Sequence, residues 1–141
     1  MTLFYIAVYH NTDSRFFPYE SGHALTKVLS HWRHLPAETS PEDIADWAYR
    51  VFNADLDSLQ GRRGYPDGDG ELDFLLACTY RLLKLRSLSA GDVLGITTEE
   101  TSTFLACEFH GWRSIPGPEN RTGKALTADT IYEHLRRSHR A

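Results

Sequence analysis

Residues 86–115, RSLSAGDVLGITTEETSTFLACEFHGWRSI, constrain the fold more than any other stretch of this sequence. They open with Ser89-Ala90-Gly91-Asp92, which is typical of a tight turn because Gly91 adopts a positive φ at no steric cost. The carboxylate of Asp92 is placed to accept hydrogen bonds from nearby backbone amides. A strand is expected to follow at once.

An antiparallel hairpin is predicted directly after this turn. Residues 93–97 and 103–109 each place apolar side chains on one face, so the two runs can pair as half-buried strands. A polar run between them supplies the loop. The dipeptide His110-Gly111 then ends the second strand, and Trp112 and Ile115 are expected to fold back over the apolar face of the hairpin.

The N-terminal half contains one predicted strand and two predicted helices. Residues 3–9 are apolar on both faces, which indicates a central strand. From residue 21 or 22 to residue 34 the apolar side chains recur at helical spacing, which predicts a helix. A second helix begins with Ser40 as its N-cap and Pro41 at its first position, and it should end near Asn53.

A long connection over residues 54–70 is indicated by its glycines, proline and clustered aspartates. A third helix over residues 71–81 leads back to the turn, and a last helix is predicted from residue 128 to about residue 137. This order predicts a single α+β domain over residues 1–141. Its sheet is expected to be small and mostly antiparallel, with the N-terminal strand and C-terminal hairpin packed against about three to four helices.

Charge and hydropathy favour some partners and locations over others. The net charge is −4 with histidines neutral, which disfavours a protein whose main role is to coat nucleic-acid phosphates. A basic end around Arg136, Arg137 and Arg140 still leaves nucleic acid as a possible partner. The apolar runs are too short to cross a bilayer, and no secretory signal is recognised, so a cytoplasmic location is expected. Cys78 and Cys107 lie in apolar runs, as buried free thiols do.

Three segments carry a resemblance: VFNADLD (residues 51–57), TYRLLKLRSLSAGDVL (residues 79–94) and LACEFHGW (residues 105–112). Together they are similar to an uncharacterised family of small proteins from actinobacteria, their plasmids and phages, with Ala90 in place of the usual valine. The S-L-S-x-x-D-V core also looks distantly like the YodL-like domains of mobile elements. The resemblance covers less than half of the chain. It implies a phage or mobile-element origin, and it brings no activity, cofactor or catalytic residue.

Acidic and sulfur ligands suggest two incomplete metal sites. The acidic side chains between positions 67 and 73 alternate like the start of a calcium loop. An EF-hand, however, needs glycine where Leu72 stands and glutamate where Cys78 stands. A nonstandard cation site therefore stays an alternative to a solvated acidic loop. Cys107 with His110 offers half a zinc site without a second pair. We predict no metal site and no cofactor.

Catalytic residues are not identified by the sequence. His31 and His34 lie three apart on the predicted helix and could face the same way, as acid–base or metal-binding histidines do. A polar helix face explains them equally well. Serine-hydrolase, P-loop and dinucleotide-binding signatures are lacking, which disfavours an enzyme.

Three function classes remain open, in this order: a non-enzymatic protein-binding accessory factor of a phage or mobile element acting on a host component, a nucleic-acid-associated protein, and a small enzyme with an unrecognised site. The aromatic content favours the first class, because tryptophan, tyrosine and arginine dominate protein interfaces. The predicted binding residues are Arg62, Arg63 and Tyr65 in the long connection. The corner formed by Trp112 and Arg113 is the second predicted binding site.

Overall fold

The computed structural model describes residues 1–14, 16–53, 56–61, 63 and 70–123. Its strands are β1 (Thr2–Asn11), β2 (Leu25–Leu35), β3 (Val93–Thr97), β4 (Ser102–Cys107), β5 (Trp112–Ile115) and β6 (Arg121–Thr122). Its helices are α1 (Pro41–Asn53), α2 (Leu56–Gln60) and α3 (Gly70–Leu82). The last predicted helix, over residues 128–137, lies outside the described residues.

Within this part of the chain the strands form one sheet in the order β5-β4-β3-β1-β2-β6. All neighbours are antiparallel except β2 and β6, which pair in parallel. The predicted α+β class is confirmed. The predicted extent of the sheet is wrong, since six strands rather than one strand and a hairpin take part.

The predicted central position of the first strand is confirmed. Strand β1 pairs with β2 along one edge and with β3 along the other, and it is buried on both faces from Ile6 to Asn11. A strand with both edges paired and both faces covered needs apolar residues at consecutive positions. The sequence IAVY supplies them.

The helix predicted over residues 21–34 is wrong, because residues 25–35 form strand β2. A bulge in the β1–β2 ladder pairs Val8 with Leu29 and Tyr9 with Lys27, so Val28 is an extra residue on β2. The bulge puts Leu25 and Leu29 on opposite faces and destroys the alternation that would mark a strand. The resulting spacing of apolar residues imitates a helix.

Helix α1 begins and ends as the sequence predicts. The backbone amide of Asp43 donates to Oγ of Ser40 at 3.1 Å, so the serine caps the helix. Such a cap contributes about 1 kcal/mol to the free energy of unfolding. The helix ends at Asn53, whose side chain bonds both backbone polar groups of Leu88. Helix α1 is thereby tied to the segment before the turn.

The long connection is only partly described. Residues 56–60 form the short helix α2 instead of loop, and Leu59 of α2 is buried in the core. The short helix differs from the predicted loop because it buries Leu59, an apolar residue among polar neighbours. Helix α3 confirms the helix predicted over residues 71–81.

The predicted turn and hairpin are confirmed, but the second strand ends at Cys107 rather than at residue 109, and Phe109 is exposed in the following turn. Gly91 has a φ of 96°, and the amide of Asp92 donates to the carbonyl oxygen of Ser89. Strands β3 and β4 then pair antiparallel. The chain after His110-Gly111 adds strand β5 to the sheet edge instead of folding over one face. Trp112 and Ile115 consequently contribute to different faces of the sheet.

The two faces of the sheet differ in their cover. The helix face, marked by Phe4, Ile6 and Val8, packs against apolar side chains of all three described helices. The outer face, marked by Ala7 and Tyr9, is covered in part by Tyr19 from the connection between β1 and β2. None of the described helices has the length and apolarity that a membrane crossing requires.

Candidate functional site

Of the three predicted binding residues in the long connection, only Arg63 lies within the described part of the chain. Its side chain is exposed, and its guanidinium lies 4.4 Å from the ring centre of Phe74 on α3. Arg62 and Tyr65 lie outside the described residues. The binding role of all three stays a prediction.

The Trp112–Arg113 corner divides between the two faces of the sheet. Trp112 pairs with Cys107 and packs half-buried against the helix-face core. Arg113 is exposed on the outer face, opposite Ala106. Neighbouring residues of a strand point in opposite directions, so these two cannot form one patch. Only Arg113 belongs to an open surface feature.

That feature is a groove of about 470 Å³ beside the β4–β5 turn. The connection between β1 and β2 supplies one wall and the β4–β5 turn supplies the other. Its lining residues are Pro18, Tyr19, Glu20, Glu108, Phe109, His110 and Arg113. We call this feature the aromatic groove.

Arg113 joins the two walls of the aromatic groove. Its Nε donates to Oε1 of Glu108 at 3.0 Å, and its Nη2 donates to the carbonyl oxygen of Tyr19 at 2.6 Å. The other carboxylate oxygen of Glu108 is buried and has no hydrogen-bond partner among the described residues. This oxygen is a buried acceptor left without a partner beside the groove, which is costly.

Exposed aromatic rings stand at one end of the aromatic groove. Phe17 is 66% exposed and Phe109 is 61% exposed, and their ring centres lie 6.3 Å apart in an edge-to-face arrangement. Phe16, 58% exposed, has a φ of 66°. An aromatic residue rarely adopts this left-handed conformation, which costs about 1 kcal/mol or more. Two exposed rings on a strained segment, with a third from the β4–β5 turn against one of them, are typical of an interaction surface rather than of a solvated loop.

The segment under the aromatic groove is held by a buried ion pair. Asp92 is fully buried, and its two oxygens accept from Nη1 and Nη2 of Arg86, each at 2.6 Å. The same oxygens accept from the backbone amides of Asn11 at 2.9 Å and Ser89 at 2.8 Å. Asp92 thus bonds the turn as predicted, and it also bonds the end of β1.

Gly91 connects this ion pair to the aromatic groove. A Cβ atom at this position would collide with the carbonyl oxygen of Phe17, which packs directly on the turn. The side-chain amide of Asn11 donates to the carbonyl oxygen of Gly91 at 3.1 Å. The RSLSAGDV segment therefore has a structural role: it fixes the backbone from which Phe17 projects.

Titratable groups near the ion pair are held in their neutral forms. Tyr80 donates to the carbonyl oxygen of Arg86 and lies 2.7 Å from Nε2 of His10. Burial lowers the pKa of His10 to about 4 and raises the pKa of Tyr80. Burial also raises the pKa of the Cys107 thiol to about 11. Near neutral pH none of the three is poised to exchange a proton or to act as a nucleophile.

The pairing of His31 with His34 is wrong. Both lie on β2, where positions three apart point to opposite faces. His31 is buried beside the ring of Trp47, its Nε2 has no hydrogen-bond partner among the described residues, and burial lowers its pKa to about 3. His34 is exposed on the outer face. The two histidines cannot share a metal or a proton.

Asp73, the last carboxylate of the alternating acidic run, lies on the predicted helix α3 in an ion pair with Arg33. Its Oδ1 accepts from Nη2 of Arg33 at 2.7 Å and from Nε1 of Trp47 at 3.1 Å. The guanidinium also lies 4.3 Å from the ring centre of Trp47. Asp73 therefore joins β2 to both long helices. Of its predicted cation-site companions, Asp67 and Asp69 lie outside the described residues.

The possible zinc pair is separated in the structure. Cys107 is buried on β4 and His110 is exposed in the following turn. Among the described residues no three His, Cys, Asp or Glu side chains converge as ligands for a metal ion. Cys78 and Cys107 are both free thiols.

No protein family, curated protein or solved structure matches this chain. The similarity to the actinobacterial and phage family stays a prediction from the three segments that carry it. The aromatic groove itself has only a faint signal in the sequence. Phe16 and Phe17 stand as consecutive aromatic residues in a turn-rich segment, and Phe109 directly precedes the strand-breaking His110-Gly111. Nothing local indicates that they meet.

Proposed function

We propose that this chain is a non-enzymatic protein-binding module whose partner docks at the aromatic groove. The exposed pair Phe17 and Phe109 carries the proposal. Aromatic anchors surrounded by polar groups form the energetic centre of protein interfaces, and here the polar surround is Arg113, Glu20 and His110. The partner that fits is a protein that presents an apolar anchor residue to the two exposed rings.

Contacts between the walls of the groove support this proposal. The backbone of Phe17 packs on the turn at Gly91, and Arg113 bridges the two walls. A preorganised surface loses little conformational entropy on binding. The family resemblance adds the source and setting: an accessory factor of a phage or mobile element that binds a host protein.

The neutral states of His10, Tyr80 and Cys107 favour a binding role over an enzymatic one. Each of these groups is buried and engaged in the structure around Asp92. A catalytic acid or base needs a pKa near the working pH, and burial has moved all three pKa values away from neutrality.

The test compares three forms of the chain in capture from an actinobacterial lysate treated with nuclease. They are the parent, the double variant Phe17→Ser with Phe109→Ser, and the control Tyr49→Ser, which removes an exposed ring from α1. We expect the parent and the control to capture the same protein. The double variant should bind that protein about tenfold or more weakly, because it lacks both anchors.

Stability serves as the internal check on this comparison. Phe17 and Phe109 are exposed, so their replacement should change the free energy of unfolding by less than about 1 kcal/mol. Equal affinity of the parent and the double variant for the captured protein would refute the groove as the docking site. The triple variant Arg62→Ala, Arg63→Ala, Tyr65→Ala then tests whether the long connection binds instead.

A further inference from the structure

The outer face carries a row of aromatic rings contributed by three strands. Phe104 of β4 lies 6.4 Å from Tyr9 of β1, and Tyr5 of β1 lies 4.8 Å from Trp32 of β2, between ring centres. Trp32 is 51% exposed, and Tyr5 and Phe104 are half-buried. Tyr9 is buried and supports the row from below. The row does not include Phe109 of the aromatic groove.

Cations lie within this row of rings. Nζ of Lys27 lies 5.4 Å from the ring centre of Tyr5 and 5.8 Å from that of Tyr9. The guanidinium of Arg121 lies 4.9 Å from the ring centre of Phe104. Along the row the side chains therefore follow the order Arg121, Phe104, Tyr9, Lys27, Tyr5 and Trp32.

The described strands themselves place no acidic side chain on the outer face. The ionisable side chains that the described strands β1 to β5 direct to this face belong to Lys27, His34, Arg113 and the tyrosines. No carboxylate occupies an outer-face position in those strands. The net charge of the whole chain is nevertheless −4. Lys27 and Arg121 therefore place positive charge beside the rings, whereas Arg113, at the aromatic groove, is paired with Glu108.

Small residues form the floor beneath the rings. Ala7 of β1 pairs with Ser30 of β2 and with Gly95 of β3, and the rings of Tyr9 and Phe104 lie over Gly95. Ser30 is 1% exposed, and its hydroxyl has no hydrogen-bond partner among the described residues. A buried hydroxyl without a partner is costly, and this one lies too deep for a ligand on the face to reach.

We propose that the outer face binds single-stranded nucleic acid, with Trp32 and Tyr5 stacking on bases and Lys27 and Arg121 contacting the phosphate backbone. Rings on the face of a sheet accept unpaired bases in any sequence, and neighbouring cations follow the backbone. Because the described strands direct no carboxylate to this face, it would not repel a polyanion. For the same reason it offers nothing for the cations of a basic protein to pair with. A second copy of this chain would oppose like charges across the contact.

The inference is independent of the protein-binding proposal, because it rests on other side chains of the outer face and on another class of partner. The sheet also limits the size of the bound segment. The distance from β4 to β2 is three strand spacings, or about 14 Å, which accommodates about two or three stacked bases. Short oligonucleotides are therefore sufficient probes.

The experiment titrates the intact chain with fluorescein-labelled oligothymidylate and oligouridylate of about twenty nucleotides, at about 50 mM and about 200 mM salt, and records anisotropy. We expect binding of both probes that weakens as salt rises, since cations displace counterions from phosphates. Trp32→Ala should weaken binding about tenfold or more, and Lys27→Ala with Arg121→Ala should reduce the salt dependence. Trp32→Tyr, which keeps a ring, should retain most of the affinity.

Matched controls replace similar residues on α1, on the other side of the sheet. Tyr49→Ala removes an exposed ring and Arg50→Ala removes an exposed cation, and both should bind like the parent. Circular dichroism and thermal unfolding of each variant establish that it is folded. If Trp32→Ala does not fold, the double variant Lys27→Ala with Arg121→Ala provides the test, because an unchanged salt dependence of binding would then overturn the proposal.

Three results would overturn the proposal. The first is no detectable binding of either single strand by the parent at the lower salt. The second is equal binding by the parent and by Trp32→Ala. The third is a dimer in sedimentation equilibrium that Trp32→Ala dissociates, which would assign the face to a second copy of the chain.

Discussion

Two buried arginine–aspartate pairs hold this fold together in different ways. The pair Arg86–Asp92 uses both carboxylate oxygens, which also accept two backbone amides from separate segments. In the pair Arg33–Asp73, the arginine and the indole of Trp47 share a single carboxylate oxygen. The side chain of Asp92 is 0% exposed and that of Asp73 is 16% exposed. One pair is a fully bonded centre, and the other is a partly solvated link between elements.

The difference shows that charge and burial alone do not determine how much an ion pair contributes to the free energy of unfolding. Burying two charges costs several kcal/mol, and hydrogen bonds to every oxygen are needed to offset that cost. Asp92 has these bonds, so its removal leaves an arginine and two backbone amides without their acceptor. The carboxylate of Asp73 is 16% exposed and water can solvate part of it, although the side chain of Arg33 is only 4% exposed. Fewer donors depend on Asp73 than on Asp92, so we expect its charge to contribute less to stability.

The largest expected effect comes from making the same substitution in both pairs. Asp92→Asn should lower the free energy of unfolding by about 3 to 5 kcal/mol, because an amide cannot accept from four donors. Asp73→Asn keeps an acceptor oxygen for Arg33 and Trp47 and should cost about 1 to 2 kcal/mol. Chemical denaturation of both variants and the parent measures the two costs. Equal losses would show that the bonding difference has no energetic weight.

A second, smaller effect concerns the turn that positions Asp92. Gly91→Val should lower the free energy of unfolding by about 1 to 3 kcal/mol, because it adds an unfavourable positive φ and a collision with the carbonyl of Phe17. Gly22→Val is the matched control, since Gly22 has a φ of 93° with open space where a Cβ atom would stand. The two thermal unfolding curves separate conformational strain from collision. If Gly22→Val is as destabilising as Gly91→Val, close packing on the turn contributes nothing.

The third effect tests His31, which packs with Arg33 around Trp47. Its pKa is lowered by burial and by the charge of Arg33 from 6.5 to about 3, so the folded state keeps the ring neutral when the unfolded state binds a proton. Stability from this group is present above pH 6.5 and is lost as the pH falls towards 3. Between about pH 7 and about pH 5 the parent should lose about 1 to 2 kcal/mol more than His31→Phe.

Urea unfolding of the parent and His31→Phe at both pH values measures this difference. His10 has a lowered pKa as well, but it is present in both proteins and its contribution cancels. Parallel losses of stability in the two proteins would mean that His31 is protonated in the folded state.

The sequence predicts features that depend on neighbouring residues and misses features that depend on distant ones. Ser40 caps α1 through an amide three residues away, and Gly91 takes its φ within a four-residue turn, so both are readable locally. Arg33 meets Asp73 forty residues later, and Phe17 meets Phe109 across the sheet. Strand β2 resembles a helix in sequence because a bulge in its pairing with β1 changes the phase of its apolar residues.

The β1–β3 ladder has a consequence for the order of folding. The β1–β2 pair and the β3–β4–β5 meander each join segments close in sequence, whereas the ladder joins the first strand to residues beyond α3. Closing so long a loop is entropically costly and slow, so the two local units should form before they combine. The bond from Asn11 to Asp92 lies at the end of that ladder. It belongs to the step that joins two preformed halves, which makes it a determinant of the folding rate as well as of stability.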